Sequence, residues 1–167
     1  MSKRLYIIGG AMGVGKTAAC QELVKLLPAC AFLDGDWCWS MDPFQVTEET
    51  KKMVLDNITY TLNNFLRCSV FQNIVFCWVL HQQAIWEEIR ARLELTGWEV
   101  TEVCLVCTPE TLTRRLEQDI RRGKRKRDIL LRSRGYLPLY EGLAARKIDT
   151  SRLSPRETAE AIRQWGE

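Results

Sequence analysis

A run of small residues near the start of the chain ends in a lysine and a threonine, a combination suited to binding phosphate. Residues 10–17 read Gly-Ala-Met-Gly-Val-Gly-Lys-Thr and fit the spacing G-x-x-x-x-G-K-[ST]. Glycines at these positions let successive backbone N–H groups turn inward around an anion, and a following helix adds the positive end of its dipole. Lys16 would place its charge on the β and γ phosphates of a nucleoside triphosphate, and Thr17 would offer a hydroxyl to Mg²⁺.

Two aspartates separated by one glycine follow the second predicted strand. Asp34 and Asp36 end that strand on the side where residues 10–17 also emerge. In an open α/β sheet this side holds the ligand crevice, so we expect the two carboxylates to act on the bound molecules, each with its own task. The alternative is an Asp-Gly turn that only closes the strand.

Large apolar side chains follow the aspartates at once. Trp37, Trp39, Met41 and Phe44 lie in a segment with loop composition, and an exposed loop seldom carries so many of them without a use. They either line an acceptor pocket for a ring-bearing or partly apolar molecule or pack under the long helix that follows. Asn57, on the predicted apolar stripe of that helix, either binds substrate or satisfies a buried backbone group.

A run of positive charge marks the last third of the chain. Residues 114–134 hold ten basic and three acidic side chains, a local charge of +7, while the whole chain carries +3. A basic stripe on a slightly acidic body favours a polyanionic ligand. The alternative is a solvated surface helix, which Gly123 and the single sign of the charge disfavour.

Length and composition are those of an ordinary globular protein. The chain has 167 residues, of which 46% are hydrophobic and 27% charged. No apolar run reaches the roughly 20 residues of a membrane helix, and no secretory h-region is present, so we expect a cytoplasmic protein with no membrane partner. Seven irregularly spaced cysteines argue against a disulfide framework. We interpret Cys104 and Cys107 as small core residues rather than as a metal site.

Apolar periodicity and turn residues divide the chain into alternating strands and helices. Such alternation favours a parallel sheet with helices on both faces, and the absence of repeats and linkers predicts one domain over residues 1–167. The predicted strands cover residues 3–8, 29–33, 73–80, 99–107 and 145–148. The predicted helices cover residues 16–27, 47–67, 82–96, a segment opened by Pro109, 128–143 with interruptions, and a segment capped at Ser154 that ends at Trp165.

The order of these features resembles the nucleotide-kinase-like group of P-loop proteins, which includes shikimate, gluconate and adenylylsulfate kinases and chloramphenicol phosphotransferase. The resemblance is carried by residues 10–17, residues 33–36 and residues 109–116, and its pattern covers nearly the whole chain. It implies a three-layer α/β/α P-loop NTPase fold with a five-stranded parallel sheet in the order 2-3-1-4-5 and a helical lid at about residues 117–136. It also implies ATP and Mg²⁺ as cofactors.

The same resemblance implies roles for individual residues. Asp34 would lie near Mg²⁺ with Thr17, Asp36 would orient the acceptor hydroxyl or take its proton, and Arg115 would stack on adenine. The implied catalytic residues are Lys16, Asp34, Asp36, Arg122, Arg125 and Arg127, with Arg121, Arg132 and Arg134 as further lid candidates. The implied nucleotide-binding residues are Gly10, Ala11, Met12, Gly13, Val14, Gly15, Lys16, Thr17, Ala18, Arg115, Ser154 and Pro155.

The strand predicted over residues 73–80 departs from many P-loop ATPases, because it ends without an acidic residue. Shikimate-kinase-like enzymes also lack this acid, so the departure favours small-molecule kinases over mechanical or switch ATPases. His81 and Gln82 occupy the end of the strand instead. His81 either contacts the acceptor or a phosphate, or it is a polar start of the next helix.

Three functions stay open at this point. The leading one is an ATP-dependent kinase, monomeric or homodimeric, that phosphorylates a hydroxyl of a nucleoside or nucleotide, a metabolite or an antibiotic. The second is a polynucleotide-end kinase or another nucleic-acid-binding P-loop protein, in which residues 121–134 grip a phosphate backbone. The third is a nucleotide-binding regulator that hydrolyses slowly. For the first function, the expected acceptor-binding residues are Asp36, Trp37, Trp39, Asn57 and His81.

Overall fold

The computed structural model describes residues 2–167 and arranges them as a parallel β-sheet between two layers of helices. The strands are β1 (Lys3–Gly10), β2 (Cys30–Asp34), β3 (Asn73–Trp78), β4 (Trp98–Val106) and β5 (Arg146–Asp149). The helices are α1 (Lys16–Leu26), α2 (Glu48–Arg67), α3 (Gln83–Arg92), α4 (Pro109–Arg121), α5 (Ile129–Tyr136) and α6 (Pro155–Gly166). Short 3₁₀ helices follow β2 at Gly35–Trp39 and α5 at Leu137–Gly142.

The sheet, within residues 2–167, has the strand order β2-β3-β1-β4-β5 with all pairs parallel, which confirms the predicted fold class and order. β1 is central, and Ile7 pairs with Phe76 of β3 on one side and with Glu102 of β4 on the other. A central parallel strand is covered on both faces, so residues 5–8 are all buried and all apolar or aromatic. The ends of β1 and β2 reach the same edge of the sheet.

Alternate residues of β1 enter two separate apolar cores, one on each face of the sheet. Ile7 lies in the core that contains Ile58 of α2, and Ile8 lies in the core that contains Leu23 of α1 and Ile162 of α6. This alternation follows from the two-residue period of a strand. It fixes α2 and α3 to one face of the sheet and α1 and α6 to the other.

Helix α2 differs from the prediction in its rotation. It begins after Thr47, which forms a capping box with Thr50. Its buried face is centred on Ile58, and the predicted place of Asn57 on this face is wrong, since the Asn57 side chain is exposed. The apolar periodicity of a 20-residue segment does not determine which residue lies at the centre of the buried face.

Helix α3 ends at Arg92 rather than at the predicted Thr96. The cause lies in α2, where Asn63 donates its side-chain amide to the Arg92 carbonyl (3.0 Å) and accepts a hydrogen bond from the Glu94 N–H (2.9 Å). These two bonds satisfy backbone groups that an extra helical turn would otherwise use. The chain therefore leaves the helix early and turns into β4.

Cys104 in β4 and Cys107, which directly follows β4, are core residues, as the sequence indicates. Cys104 and Cys107 are both buried, and burial raises the pKa of Cys104 to about 11. No group of three or more metal-ligating His, Cys, Asp or Glu side chains occurs in residues 2–167. Across the same residues, no helix is both long and apolar enough to cross a membrane.

Candidate active site

The glycine-rich loop between β1 and α1, residues 11–15, has the backbone shape that an anion site requires. Gly13 and Gly15 have φ values of 86° and 103°, in the left-handed region that favours glycine, and Gly15 is the N-cap of α1. A Cβ atom at Gly13 would lie 2.5 Å from Leu116 Cδ2, so α4 packs directly on the loop. The first N–H groups of α1 have no partner within the helix and are available to an anion.

Lys16 folds back over this loop. Its ammonium group donates hydrogen bonds to the carbonyl oxygens of Gly10 (2.6 Å) and Ala11 (3.0 Å). Burial lowers the pKa of Lys16, while the carboxylates of Asp36 and Asp34 act in the opposite direction. A bound phosphate would add negative charge beside the ammonium and stabilise its charged form.

Asp34 is the centre of a small polar network at the end of β2. It is 6% exposed, accepts a hydrogen bond from the Thr17 hydroxyl at 2.9 Å through Oδ2, and accepts one from the Asp36 N–H at 3.0 Å through Oδ1. Its carboxylate is thus fixed in position beside the first turn of α1. A buried carboxylate held by two donors is preorganised to act on whatever the adjoining loop binds.

Gly35 makes the two aspartates face different surroundings. Side chains two residues apart on a straight strand share one face, but the chain bends at Gly35 into a 3₁₀ helix. A Cβ atom at Gly35 would lie 2.5 Å from the Trp78 ring, so only glycine permits this close approach. Asp36 consequently lies in the crevice, where partial desolvation by the crevice walls and the charge of Asp34 raise the pKa of its carboxyl.

Thr17 and Asp34 form a donor set that suits Mg²⁺. Both offer oxygen ligands, and their side-chain oxygens are 2.9 Å apart. Mg²⁺ in phosphoryl-transfer sites is held by one or two protein oxygens, and phosphates and water supply the remaining ligands. The two residues present therefore fit the ion.

A first cavity of about 760 Å³ opens over the glycine-rich loop. It is lined by residues 12–18, by Asp36 and by side chains of α4 and of the segment that joins α4 to α5. The lining includes the predicted Arg115, Arg122, Arg125 and Pro155, whereas Gly10, Ala11, Arg121, Arg127 and Ser154 lie outside it. Sequence reasoning missed Gln21, Leu153 and Thr158, and it included Gln118, Asp119 and Lys124 only as members of the predicted lid.

Arg115 connects three segments at the edge of the first cavity. Its guanidinium donates to the carbonyl oxygen of Val14 (3.0 Å) and to the hydroxyl (2.9 Å) and carbonyl (2.7 Å) of Thr150. These bonds join α4, the glycine-rich loop and the segment after β5. They also fix the plane of the guanidinium.

The lid region, predicted at about residues 117–136, consists of the end of α4, a turn and α5. Arg125 pairs with Asp119 at 3.1 Å, which fixes it over the first cavity. The fully buried Ser133 of α5 donates its hydroxyl to the Met12 carbonyl at 2.5 Å. Helix α5 is thereby held against the glycine-rich loop.

A second cavity of about 980 Å³ lies on the other side of Asp36. Its walls come from the 3₁₀ helix after β2, from α2, from the end of β3 and the start of α3, and from α5. Met12, Lys16 and Asp36 line this cavity as well as the first one. The two cavities therefore adjoin at a lysine and an aspartate.

The residues predicted to contact the acceptor divide into two groups. Trp39 and His81 line the second cavity, and Trp39 packs against Phe44 with ring centroids 5.6 Å apart. Trp37 instead packs edge-on against Phe32 outside the cavity, with 57% of its surface exposed. Asn57 is also exposed and outside the cavity, because the face of α2 that carries it points away from the sheet.

His81 forms a wall of the second cavity together with Tyr136 of α5. The two rings are stacked, with centroids 4.7 Å apart and planes within 2° of parallel. Burial lowers the pKa of His81, which favours the neutral imidazole. Sequence reasoning missed Tyr136 as a lining residue and gave Arg132 only as a lid candidate, since nothing local marks their position opposite His81.

Several solved structures share this fold. The tunicamycin resistance protein of Deinococcus radiodurans matches with a TM-score of 0.70 and 18% identity, over 97% of this chain and 94% of that chain. The shikimate kinase of Acinetobacter baumannii in complex with shikimate has a TM-score of 0.60 and 23% identity, over 98% and 92%. The APS kinase of Mycobacterium tuberculosis in complex with AMPPNP and APS has a TM-score of 0.64 and 14% identity, over 98% and 97%.

These likenesses confirm the predicted resemblance to the shikimate and adenylylsulfate kinase group at the level of the fold. No curated protein sequence matches the chain. A family model described as an AAA domain, AAA_18, matches residues 7–134, which include the glycine-rich loop, both aspartates and most of the lid. The chain therefore belongs to the AAA_18 family of P-loop domains.

Proposed function

We propose that this protein is an ATP-dependent kinase that transfers the γ-phosphoryl group of Mg-ATP to a hydroxyl of a small molecule. The observation that carries the proposal is the junction of two cavities, about 760 and 980 Å³, at Met12, Lys16 and Asp36. Direct transfer between two bound molecules needs such a junction, since donor and acceptor must be brought together in line.

On the donor side, the glycine-rich loop and the N-terminus of α1 bind the phosphates of ATP. Lys16 exchanges the carbonyl oxygens of Gly10 and Ala11 for the β and γ phosphates. Thr17 and Asp34 hold Mg²⁺, which, when bound, neutralises charge on the phosphate oxygens. The support for these roles is the hydrogen-bond network of Lys16, Thr17 and Asp34.

On the acceptor side, Asp36 orients the hydroxyl and takes its proton as the new bond from oxygen to the γ-phosphorus forms. The bond from that phosphorus to the β–γ bridging oxygen breaks, and ADP leaves with its electron pair. A carboxylate is a weak base, but the loose transition state of phosphoryl transfer asks little of one. The raised pKa of Asp36 makes it a better base than an ordinary aspartate.

The basic side chains at the first cavity complete the proposed mechanism. Arg122 and Arg125 stabilise the charge of the transferring group, and their position over the loop helps exclude water. Arg115 presents its guanidinium plane to the adenine, and the bonds that fix this plane support the role. Arg121 and Arg127 are outside the lining and carry less of this charge stabilisation.

The test is ADP formation from Mg-ATP, measured alone and with pooled nucleosides, nucleotides, sugars, amino-alcohol antibiotics and short oligonucleotides. We expect ADP formation to rise in one pool and to vanish in the Lys16→Ala variant. Retained activity in Lys16→Ala would contradict the assignment of the phosphate site. ATP binding without acceptor-dependent turnover in any pool would favour the regulator function.

A second candidate function is a polynucleotide-end kinase, which the exposed cations of the lid region favour. Arg121, Arg122, Lys124, Lys126 and Arg127 are exposed on or beside the turn between α4 and α5. Affinity for single-stranded oligonucleotides should then fall steeply with salt, with a slope of about −0.7 per phosphate contact. A small-molecule kinase predicts weak oligonucleotide binding and an acceptor KM with little salt dependence.

A further inference from the structure

The turn that follows β3 has a strained backbone. Leu80 has a φ of 41°, in the left-handed region that a bulky residue rarely adopts, and its side chain is fully buried. Such a conformation costs free energy and persists only where the surrounding structure determines it. The residues on either side, Val79 and His81, both line the second cavity. The strained turn therefore sets the position of one wall of that cavity.

Two buried aromatic side chains fix the carbonyl groups of this turn. The Tyr140 hydroxyl donates to the Val79 carbonyl oxygen at 2.5 Å, and Trp86 Nε1 donates to the Leu80 carbonyl oxygen at 2.8 Å. Burial raises the pKa of Tyr140, so its hydroxyl keeps the proton that it donates. The side chains of Trp86 and Leu80 also pack directly on Gly9 of β1. The turn is thus supported by α3, by β1 and by the 3₁₀ helix after α5.

Tyr140 connects the strained turn to the lid region. It lies in the 3₁₀ helix that directly follows α5, whose last residue, Tyr136, stacks on His81. The Val79 carbonyl that accepts from Tyr140 also accepts a hydrogen bond from the Gly10 N–H, at the longer distance of 3.4 Å. One carbonyl oxygen therefore joins the end of the lid region, the wall of the second cavity and the end of β1.

We propose that Tyr140 is a positioning residue of the second cavity. Its hydroxyl fixes the Val79 carbonyl, and this bond keeps Leu80 in its strained conformation. His81, the next residue, is thereby held at the cavity wall. Tyr140 itself is outside the lining of both cavities, so it acts through these neighbours and not by contact with a ligand. The inference rests on the proposed kinase function only in taking this wall as part of the acceptor site.

The position of this wall can be observed directly, because His81 is the only histidine of the chain. Its ring-proton NMR signals are assigned without labelling, and the ring current of the parallel Tyr136 ring displaces them. Tyr136→Leu removes that ring and gives the signal positions of an unstacked His81. Tyr140→Phe removes one oxygen atom and frees Leu80 to relax, so we expect it to move the His81 signals towards those of Tyr136→Leu.

Acceptor kinetics connect the wall to the proposed reaction. With the pool member that stimulates ADP formation, Tyr140→Phe should raise the acceptor KM about tenfold and change the KM of ATP by less than about twofold. The KM of ATP is spared because the contacts of Lys16 and Thr17 do not involve the Val79 carbonyl. Tyr60→Phe, at an exposed position outside both cavities, is the matched control and should change neither the NMR signals nor either KM.

A purely stabilising role of Tyr140 would give a different result. Unchanged His81 signals in Tyr140→Phe, with only a lower melting temperature, would overturn the inference, and so would loss of the whole fold in this variant. An unchanged acceptor KM in spite of displaced signals would overturn it as well. If the wild-type protein forms no ADP with any pool, the kinase proposal fails, whereas displaced His81 signals would still uphold the role of Tyr140 at the second cavity.

Discussion

Asp34 and Asp36 are separated by one residue but lie in different surroundings. Asp34 is buried and holds two hydrogen bonds, one from Thr17 and one from the Asp36 backbone. Asp36 faces both cavities, and its pKa is raised. Two carboxylates in different surroundings are a common means of dividing two tasks. We therefore propose metal binding for Asp34 and acceptor activation for Asp36.

Substitution of Asp36 tests this division. Asp36→Asn keeps the shape of the side chain but cannot take a proton, so kcat should fall by about 10²–10⁴-fold with little change in ATP affinity. Asp42→Asn is the matched control, since Asp42 is exposed on the same segment and lies outside both cavities. Steady-state kinetics and calorimetry give the two quantities. A kcat within a few-fold of wild type in Asp36→Asn would refute the acceptor-side role.

The pH dependence of kcat/KM should report the same carboxyl. Asp36 must be ionised to take a proton, so kcat/KM falls as pH drops below its pKa in the free protein. Because this pKa is raised above the ordinary 3.8, the acid limb of the profile should lie at higher pH than a normal aspartate gives. The residual activity of Asp36→Asn should lack this limb. An unchanged acid limb in that variant would assign the titration to another group.

Helices α4 and α5 both form hydrogen bonds to the glycine-rich loop. Arg115 of α4 binds the carbonyl of Val14, and Ser133 of α5 binds the carbonyl of Met12. Leu116 packs against Gly13 between these two contacts. The lid region is thus joined to the loop through backbone acceptors, and its position depends on the loop conformation.

Loss of Arg115 should therefore affect nucleotide binding in particular. Arg115→Ala removes three hydrogen bonds and the plane offered to the adenine, so ATP affinity should fall about ten- to a hundredfold with a smaller change for the acceptor. Arg114→Ala removes the same charge from the exposed neighbour and serves as the control. Calorimetry on both variants, with melting curves to check the fold, gives the comparison. Equal losses of ATP affinity in the two variants would mean that only net charge matters.

The rotation of α2 can be tested through stability. Ile58→Ala opens a cavity in a fully buried position and should lower the free energy of unfolding by about 2–5 kcal/mol. Asn57→Ala, one residue away on the exposed face, should change it by less than about 0.5 kcal/mol and leave acceptor binding unaltered. Urea denaturation measures both. A large effect of Asn57→Ala on stability or on acceptor affinity would restore Asn57 to the buried face or to the site.

At the scale of the whole molecule, the features predicted from sequence are those that local residues determine. Residues 10–17 form one continuous motif, the Asp34–Asp36 pair forms another, and the buried runs of β1 and β3 identify a parallel sheet. The second cavity could be predicted only in part. Which of two tryptophans faces it depends on the 3₁₀ turn at Gly35–Trp39.

Contacts between distant segments could not be predicted from the sequence, and the reason is physical. His81 and Tyr136 meet only because β3 ends beside α5 in the folded chain, and no pattern near either residue marks the stack. The early end of α3 likewise depends on Asn63, which lies in α2. Periodicity and capping describe one segment at a time, so contacts between distant segments can be identified only in the three-dimensional structure.

Phosphoryl transfer at the junction of the two cavities can be tested by following the phosphoryl group itself. ATP labelled at the γ-phosphate is incubated with Mg²⁺, the protein and the acceptor pool that stimulates ADP formation, and the label is then located by chromatography and mass spectrometry. We expect label on a hydroxyl of the acceptor in amounts equal to the ADP formed, no such product with Lys16→Ala, and at least about a hundredfold less with Asp36→Asn. Label found only as inorganic phosphate would contradict direct transfer and identify a nucleotide-hydrolysing regulator instead.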